Sequence, residues 1–205
     1  MMTEIAVLDE DRASAETLGG FPRVLALDPG KTTGWAVVWF DDDALFDTQQ
    51  SIQRAPVAWI AGMWLGPEVG HMDALMRMLR KSPIGGDGLA IVCEDFIPRA
   101  AFQDRDFLSP VRLTAMFRAG LHMGSFEADG VARRRTINPE NIQSASDAKR
   151  VITDQRLDTW QMYLPGKDHP RDATRHALLW IRKLRGRGSE FYNKHHFIDN
   201  EEEEA

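Results

Sequence analysis

The sequence predicts one three-layer α/β domain, in which a β-sheet is flanked by helices. Three observations lead to this fold class. Short apolar runs typical of buried strands alternate along the chain with longer amphipathic segments. Their order is a β-hairpin, a helix, a strand, a helix, a strand and two helices, which is typical of α/β proteins. The length of 205 residues, with 43% hydrophobic residues, suits one compact domain with its own core and leaves little room for two.

The domain is predicted to open with two strands. Residues 24–28 (VLALD) form an apolar run that is followed by Pro29 and Gly30, and residues 34–40 (GWAVVWF) are rich in β-branched and aromatic side chains. Because the turn between them is short, we expect an antiparallel hairpin. Three further strands are predicted at residues 48–53, 89–93 and 132–137, which gives a sheet of five strands.

The helices are predicted from apolar residues at helical spacing. The first covers residues 56–81, with a break at Gly66 and Pro67, and its methionines and tryptophans are interpreted as core. Ser109 is expected to cap a helix over residues 110–123, with Pro110 at its first position. Further helices are predicted to begin at residue 138 and to cover residues 146–160 and 168–185.

The charge is unevenly distributed along the chain. Residues 1–20 carry five acids and one base, and residues 190–205 carry six acids and one base, so that the body has a net charge of +3 although the whole chain has −6. We interpret residues 1–20 as a flexible acidic leader, residues 21–188 as the folded domain and residues 189–205 as an acidic tail. The arginines and lysines of the body are compatible with phosphate binding, or else with ordinary solvated helix faces.

The cysteine count and the N-terminal residues bear on the cellular setting. Cys93 is the single cysteine, which excludes a disulfide within the chain and favours a reduced, cytoplasmic setting. The first residues are acidic and lack the basic start and apolar run of a signal peptide. No apolar run reaches the roughly 18 residues of a membrane span, so no membrane partner is expected.

Three carboxylates are expected to share one site. Asp28 and Glu94 each close an apolar strand, and Asp172 lies in the first turns of the last helix. Side chains at the ends of strands converge at the functional crevice of an α/β sheet. Each acid alone has an equally ordinary interpretation as a turn or cap residue. A buried, unpaired charge is costly, however, and a shared divalent cation with hard oxygen ligands would remove that cost.

Histidines accompany the third acid on its helix. His169 and Asp172 are three residues apart and therefore share a helix face, and His176 lies one turn further along. An imidazole beside a carboxylate is either a metal ligand or a proton shuttle, although a helical histidine is more often structural. We include His169 in the candidate site and leave open whether His176 or Asp95 joins it. Asp95 follows Glu94 on a strand and should point to the opposite face of the sheet.

These motifs resemble the RuvC family of Holliday-junction resolvases over about residues 22–185. The segment 24–38 is similar to that family's opening hairpin with its Asp-Pro-Gly turn, and IVCEDF at residues 91–96 resembles the strand that carries its glutamate. Residues 109–124 match the following helix, and residues 138–150 resemble the segment before the last helix. HPRDATRHAL at residues 169–178 resembles the terminal catalytic motif in its His-x-x-Asp form. The small size and acidic ends are similar to those of phage-encoded relatives, which would act in the host cytoplasm.

The resemblance implies an RNase H-like fold with a mixed five-stranded sheet, a homodimer and a magnesium-dependent endonuclease that resolves four-way junctions in DNA recombination and repair. It implies two Mg²⁺ ions per active site, for which Mn²⁺ can substitute, lying about 3.5–4 Å apart. Asp28 would bridge them, Glu94 would hold one, and Asp172 with His169 would hold the other. The residues implied to contact DNA are Lys149, Arg150, Arg134, Phe96 and Phe102.

Other functions stay open at this point. The same type of nuclease acts on forks, flaps or other branched DNA, since a fold does not determine a substrate. A non-catalytic module that binds branched DNA would keep the basic surface without metal chemistry. An ATPase of the actin-like class also opens with an Asp-x-Gly hairpin, but it needs a second glycine-rich phosphate loop and a second domain, for which 205 residues leave little room.

Overall fold

The computed structural model describes residues 5–10, 14, 17–81, 83–85, 88–96, 108–124, 126–128, 131–133 and 135–188. Its strands are β1 (Ala6–Val7), β2 (Arg23–Asp28), β3 (Thr32–Phe40), β4 (Pro56–Leu65), β5 (Leu89–Asp95), β6 (Phe126–Ala128), β7 (Val131–Arg133) and β8 (Ile142–Ser144). Its α-helices are α1 (Asp42–Phe46), α2 (Glu68–Leu79), α3 (Ser109–Met123), α4 (Ala145–Val151), α5 (Asp154–Thr159) and α6 (Asp168–Arg187). None of the helices within these ranges is long and apolar enough to cross a membrane.

Within the described residues, the main sheet is mixed and has six strands in the order β1-β4-β3-β2-β5-β8. Strands β2, β3, β4 and β1 pair antiparallel in turn, whereas β5 and β8 run parallel to β2. Strands β6 and β7 form a separate two-stranded hairpin. The predicted fold class, a mixed sheet flanked by helices in three layers, is confirmed, and the sheet has one strand more than expected.

Strand alternation divides the core into two layers. In β2, Val24 and Ala26 face the cluster that contains α4 and α6, whereas Leu25 and Leu27 face the cluster that contains α2 and α3. Side chains in a strand alternate between the two faces, so a central strand covered on both sides is apolar throughout. The four apolar residues of β2 are buried for this reason, and the charged residues at its two ends, Arg23 and Asp28, are buried as well.

The predicted helix over residues 56–81 is wrong in its first half, where the structure has strand β4. This strand pairs with β3 along its length and is buried on both faces over residues 56–62. A continuous apolar run of this kind does not distinguish a buried strand from a helix by its periodicity. The break at Gly66 and Pro67 does separate β4 from α2, and the predicted strand at residues 48–53 is replaced by a turn and a short 3-10 helix at Ile52–Arg54.

Three other predictions also need correction. The last strand of the sheet is β8, not residues 132–137, of which residues 132 and 133 lie in β7. The helix predicted over residues 146–160 is divided into α4 and α5, because the Thr153 hydroxyl caps the second helix. Ser109 is the first residue of α3 and not its cap.

Part of the acidic leader belongs to the sheet. Ala6 and Val7 form the edge strand β1, paired with Trp59 and Ala58 of β4, and Leu18 is fully buried. The apolar residues at positions 5–8 make this pairing favourable, although the surrounding acids dominate the composition of the segment. The tail at residues 189–205 lies outside the described residues.

Candidate active site

Two of the candidate acids meet because they extend the same face of neighbouring strands. Strands β2 and β5 are parallel, and Leu27 is paired with Cys93, so Asp28 and Glu94 follow at adjacent strand ends. Asp28 continues the face of Val24 and Ala26, which is turned toward α6, and Glu94 extends the corresponding face of β5. Asp28 is 7% exposed, so its carboxylate is largely removed from water.

Helix α6 begins directly on the hairpin that carries Asp28. Gly34 is paired with Asp28 across the hairpin, and a Cβ at position 34 would lie 2.2 Å from the carbonyl oxygen of His169. The glycine therefore allows the helix backbone to touch the strand. This close approach brings His169 Nδ1 to 2.9 Å from Asp28 Oδ2, which is hydrogen-bonding distance.

Asp172 lies one turn further along α6 and is paired with two cationic side chains. Its Oδ2 is 2.9 Å from Lys149 Nζ of α4, and its Oδ1 accepts a hydrogen bond from Arg175. The buried guanidinium of Arg175 also contacts Asp154 and donates to the carbonyl of Ile152 at 3.1 Å. Asp172 is therefore held between two helices by a network of charged groups.

Glu94 is connected to α6 by a buried histidine. His176 is 1% exposed, its Nε2 is 3.0 Å from Glu94 Oε2, and its Nδ1 is 3.2 Å from Gln143 Oε1 of β8. The sequence pattern left the role of His176 open and did not single out Gln143 or Arg175. The position of His176, seven residues after His169 on the same face, was the available signal, whereas nothing in the sequence marked Gln143.

Burial and the neighbouring charges change the proton affinity of Asp28. Burial raises the pKa of Asp28 to about 6 from 3.8, with Glu94 and Asp172 raising it further and the hydrogen bond from His169 lowering it. The same hydrogen bond to Asp28 raises the pKa of His169, and the contact with Asp172 raises that of Lys149. Glu94 and Asp172 thus disfavour the charged form of Asp28, which a nearby cation would favour.

The raised pKa of Asp28 predicts a pH-dependent stability in the presence of a chelator. A carboxyl whose folded pKa lies above its unfolded value stabilises the fold below about pH 3.8, and this contribution is lost as the pH rises through about 6. The shift corresponds to at most about 3 kcal/mol. We expect the free energy of unfolding, measured by urea denaturation from pH 4 to pH 8, to fall more steeply in the wild type than in Asp28→Asn. The free energy of unfolding of the exposed Asp73→Asn variant should change with pH as that of the wild type does. If the wild type and Asp28→Asn show the same pH dependence, the raised pKa of Asp28 is contradicted.

The donor set fits a hard divalent cation in its chemistry. Carboxylate oxygens are the preferred ligands of Mg²⁺ and Mn²⁺, and three carboxylates with one imidazole meet at this edge of the sheet. Within the described residues, no three His, Cys, Asp or Glu side chains already lie close enough together to enclose one ion. Each acid instead contacts a cationic or imidazole side chain of the protein, as described above.

A cysteine lies beside the site but does not offer a nucleophile. Cys93 precedes Glu94 and is fully buried on the opposite face of β5. Burial raises the pKa of its thiol to about 12, with the hydrogen bond to Thr114 lowering it. The thiol is therefore protonated at neutral pH, and only the thiolate would be reactive.

The residues implied to contact DNA lie at different places. Lys149 and Arg150 are on α4 beside the site, where Arg150 is exposed and paired with Asp147 at 2.9 Å. Phe96 follows the end of β5, whereas Arg134 and Phe102 lie outside the described residues. Two arginines of the body, Arg135 and Arg175, are buried and donate to protein oxygens, so they do not form part of a phosphate-binding surface.

Known proteins resemble this chain in fold and not in sequence. No family model and no curated protein matches the sequence. Solved structures with a similar fold include RuvC of Thermus thermophilus in complex with a Holliday junction substrate, at 13% identity and a TM-score of 0.43, covering 80% of this chain and 97% of that chain. A second structure of RuvC from the same organism has 13% identity and a TM-score of 0.49, and the match covers 86% of this chain and 99% of that chain. The nuclease domain of the P22 large terminase has 14% sequence identity and a TM-score of 0.39, and the match covers 83% of this chain and 91% of that chain. At these low identities and TM-scores, the similarity concerns only the course of the chain. No activity, substrate or residue role is assigned to this chain from it.

Proposed function

We propose that the chain is a divalent-metal-dependent endonuclease of the RNase H-like class that cuts branched DNA, with the four-way (Holliday) junction as its substrate. The observation that carries this proposal is the convergence of Asp28, Glu94 and Asp172 at one edge of the sheet, where their mutual proximity contributes to the raised pKa of Asp28. The preference for junctions is supported by the resemblance of the three sequence motifs to the RuvC family, and not by the geometry of the site.

The proposed ligands follow from the positions of the acids. Asp28 would bridge two cations, Glu94 would hold one, and Asp172 with His169 would hold the other. When bound, the ions activate a water for in-line attack on a phosphodiester and stabilise the leaving oxygen. His169 keeps Asp28 oriented through Nδ1, and because 48% of its side chain is exposed, its ring is accessible to a substrate. His176 holds Glu94 from the buried side.

The DNA would be held by basic groups beside the acids. Lys149 and Arg150 lie on α4 next to Asp172, where they would contact backbone phosphates independently of sequence. Phe96, Phe102 and Arg134 stay as predicted DNA contacts from the family resemblance. A homodimer with two such sites related by a two-fold axis would cut two strands of like polarity symmetrically.

The test is a panel of end-labelled substrates incubated with Mg²⁺, comprising a four-way junction, a fork, a flap and linear duplex. Paired symmetric nicks in the junction support the proposal, and cutting of forks or flaps alone assigns a different branched substrate. No cleavage of any member with Mg²⁺ or Mn²⁺ would overturn it.

The Lys149→Gln variant tests the proposed phosphate contact. Its DNA affinity should fall less steeply with salt than that of Arg77→Gln, a variant at an exposed site on α2. The slope of log affinity against log salt should be smaller in magnitude by about 1.

A non-catalytic module for branched DNA is the second candidate. The observation that favours it is the pairing of every candidate acid with a protein side chain, which satisfies their charges internally. Calorimetric titration with Mg²⁺ and Mn²⁺ distinguishes the two functions, because a site that serves only as an ion-pair network takes up neither ion.

A further inference from the structure

A buried polar cluster lies directly behind the turn that follows Asp28. It consists of Thr33 at the start of β3, Gly30 in the turn and His71 on α2, and all three are buried. Thr33 Oγ1 is 2.9 Å from His71 Nδ1, 3.2 Å from the carbonyl oxygen of Gly30 and 3.4 Å from the Gly30 amide nitrogen. One hydroxyl group therefore contacts both backbone polar groups of Gly30, two residues from Asp28.

The hydrogen atoms of this cluster can be assigned by counting donors. The Thr33 hydroxyl has one proton, which it donates to the Gly30 carbonyl, while the Gly30 amide donates to the hydroxyl oxygen. His71 Nδ1 must then carry a proton and donate to the same oxygen. Burial lowers the pKa of His71, opposed by Glu68, which agrees with a neutral ring that carries this single proton.

The second ring nitrogen of His71, Nε2, is buried, which would not be needed if the side chain only filled space in the core. His71 is 1% exposed, and its Nε2 has no hydrogen-bond partner among the described residues. An unpartnered buried polar atom is costly, and an apolar side chain of similar size would avoid that cost. The ring packs near Trp64, the β4 residue paired with Thr33, at 6.5 Å between centroids.

We propose that Thr33 and His71 are positioning residues that clamp the Pro29–Gly30 turn and thereby hold Asp28 facing Glu94 and His169. The β2–β3 ladder ends at the pair Asp28 and Gly34, and the Thr33 side chain contacts Gly30 in the turn beyond it. Thr33 is itself held by its pairing with Trp64, and His71 connects it to α2. This inference rests on the proposed function, since Asp28 is the metal ligand that the clamp would orient.

The test compares two pairs of variants in the full chain. Thr33→Val removes the hydroxyl at constant shape, and Thr33→Ser restores it. His71→Leu removes the donor, and His71→Asn keeps a donor near the position of Nδ1. We expect Thr33→Val to weaken Mn²⁺ binding, measured by calorimetry, by about 10-fold and His71→Leu to weaken it by about 3-fold, with Thr33→Ser and His71→Asn within about 2-fold of the wild type.

Hydrogen exchange of the Gly30 amide tests the clamp in the absence of any metal ion. With a chelator present, the Gly30 amide should exchange with solvent deuterium about 10-fold faster in Thr33→Val, because its acceptor is gone. If Thr33→Val does not fold, the Mn²⁺ affinities of His71→Leu and His71→Asn are compared instead. Unchanged Mn²⁺ affinity in folded variants, or unchanged Gly30 exchange, would overturn the clamp. A wild type that binds no Mn²⁺ overturns the proposed function instead, and the Gly30 exchange still decides whether the clamp exists.

Discussion

We expect the Asp28→Asn variant to lose cleavage of four-way junctions by about 10³-fold or more, while its affinity for the junction stays within about 3-fold of the wild type. The neutral amide cannot bridge two cations, and a loss of about 4 kcal/mol of transition-state stabilisation corresponds to this factor. DNA affinity should survive because, under the proposed function, basic residues of α4 and not Asp28 would hold the phosphates. Single-turnover cleavage of a labelled junction and a gel-shift titration measure the two quantities.

The matched control for this variant is Asp73→Asn. Asp73 is an exposed acid on α2, which packs on the face of the sheet opposite α6, so the same chemical change is made on the other side of the sheet. Its cleavage rate should equal that of the wild type. Full cleavage by Asp28→Asn in the presence of Mg²⁺ would remove Asp28 from the mechanism, whereas a loss of both cleavage and binding would indicate an effect on folding.

The Gly34→Ala variant is expected to lose a large part of its stability. A methyl group at this position would lie 2.2 Å from the carbonyl oxygen and 2.3 Å from the carbonyl carbon of His169. These are backbone atoms of a helix, so they cannot give way as the end of a flexible side chain can. The start of α6 must therefore separate from β3, at a cost of about 3 kcal/mol or more in the free energy of unfolding.

Gly70→Ala is the control for this effect. Gly70 lies in α2, and no atom is found within 4 Å of the Cβ that alanine would add. Alanine there should leave the protein unchanged or stabilise it by up to about 1 kcal/mol, because glycine is the poorer helix former. Urea denaturation compares the two variants with the wild type. A Gly34→Ala protein with wild-type stability would show that α6 does not lie on β3 as closely as described.

The elements that sequence reasoning located best are those with one apolar face or a clear boundary signal. Helix α6 and the β2–β3 hairpin were predicted within a few residues, since one has a helical stripe and the other a short turn. Strand β4 was taken for a helix because burial on both faces removes the alternation that marks a strand. Strand β8 was missed because it has three residues and its buried member, Gln143, is polar.

The acids of the site were predictable because each follows a recognisable element, and strand ends converge in an α/β sheet. Their partners were not. Arg175 belongs to the basic residues of the body, which are compatible with solvated helix faces, but it is buried between Asp172 and Asp154. Gln143 is paired with Glu94 between β5 and β8 and also contacts His176, and Thr33 and His71 meet across two different elements. Such contacts depend on tertiary packing, which local patterns do not encode.

The candidate site joins the first strand of the hairpin to the last helix, and this has a consequence for the growing chain. Asp28 and His169 are separated by 141 positions, and Asp172 and His176 lie further still. At a synthesis rate of about 5–20 residues per second, roughly 7–28 seconds pass between the addition of the first of these residues and that of His169. During this interval no partial chain can assemble the acidic cluster. A function that needs the complete cluster can therefore begin only late in translation.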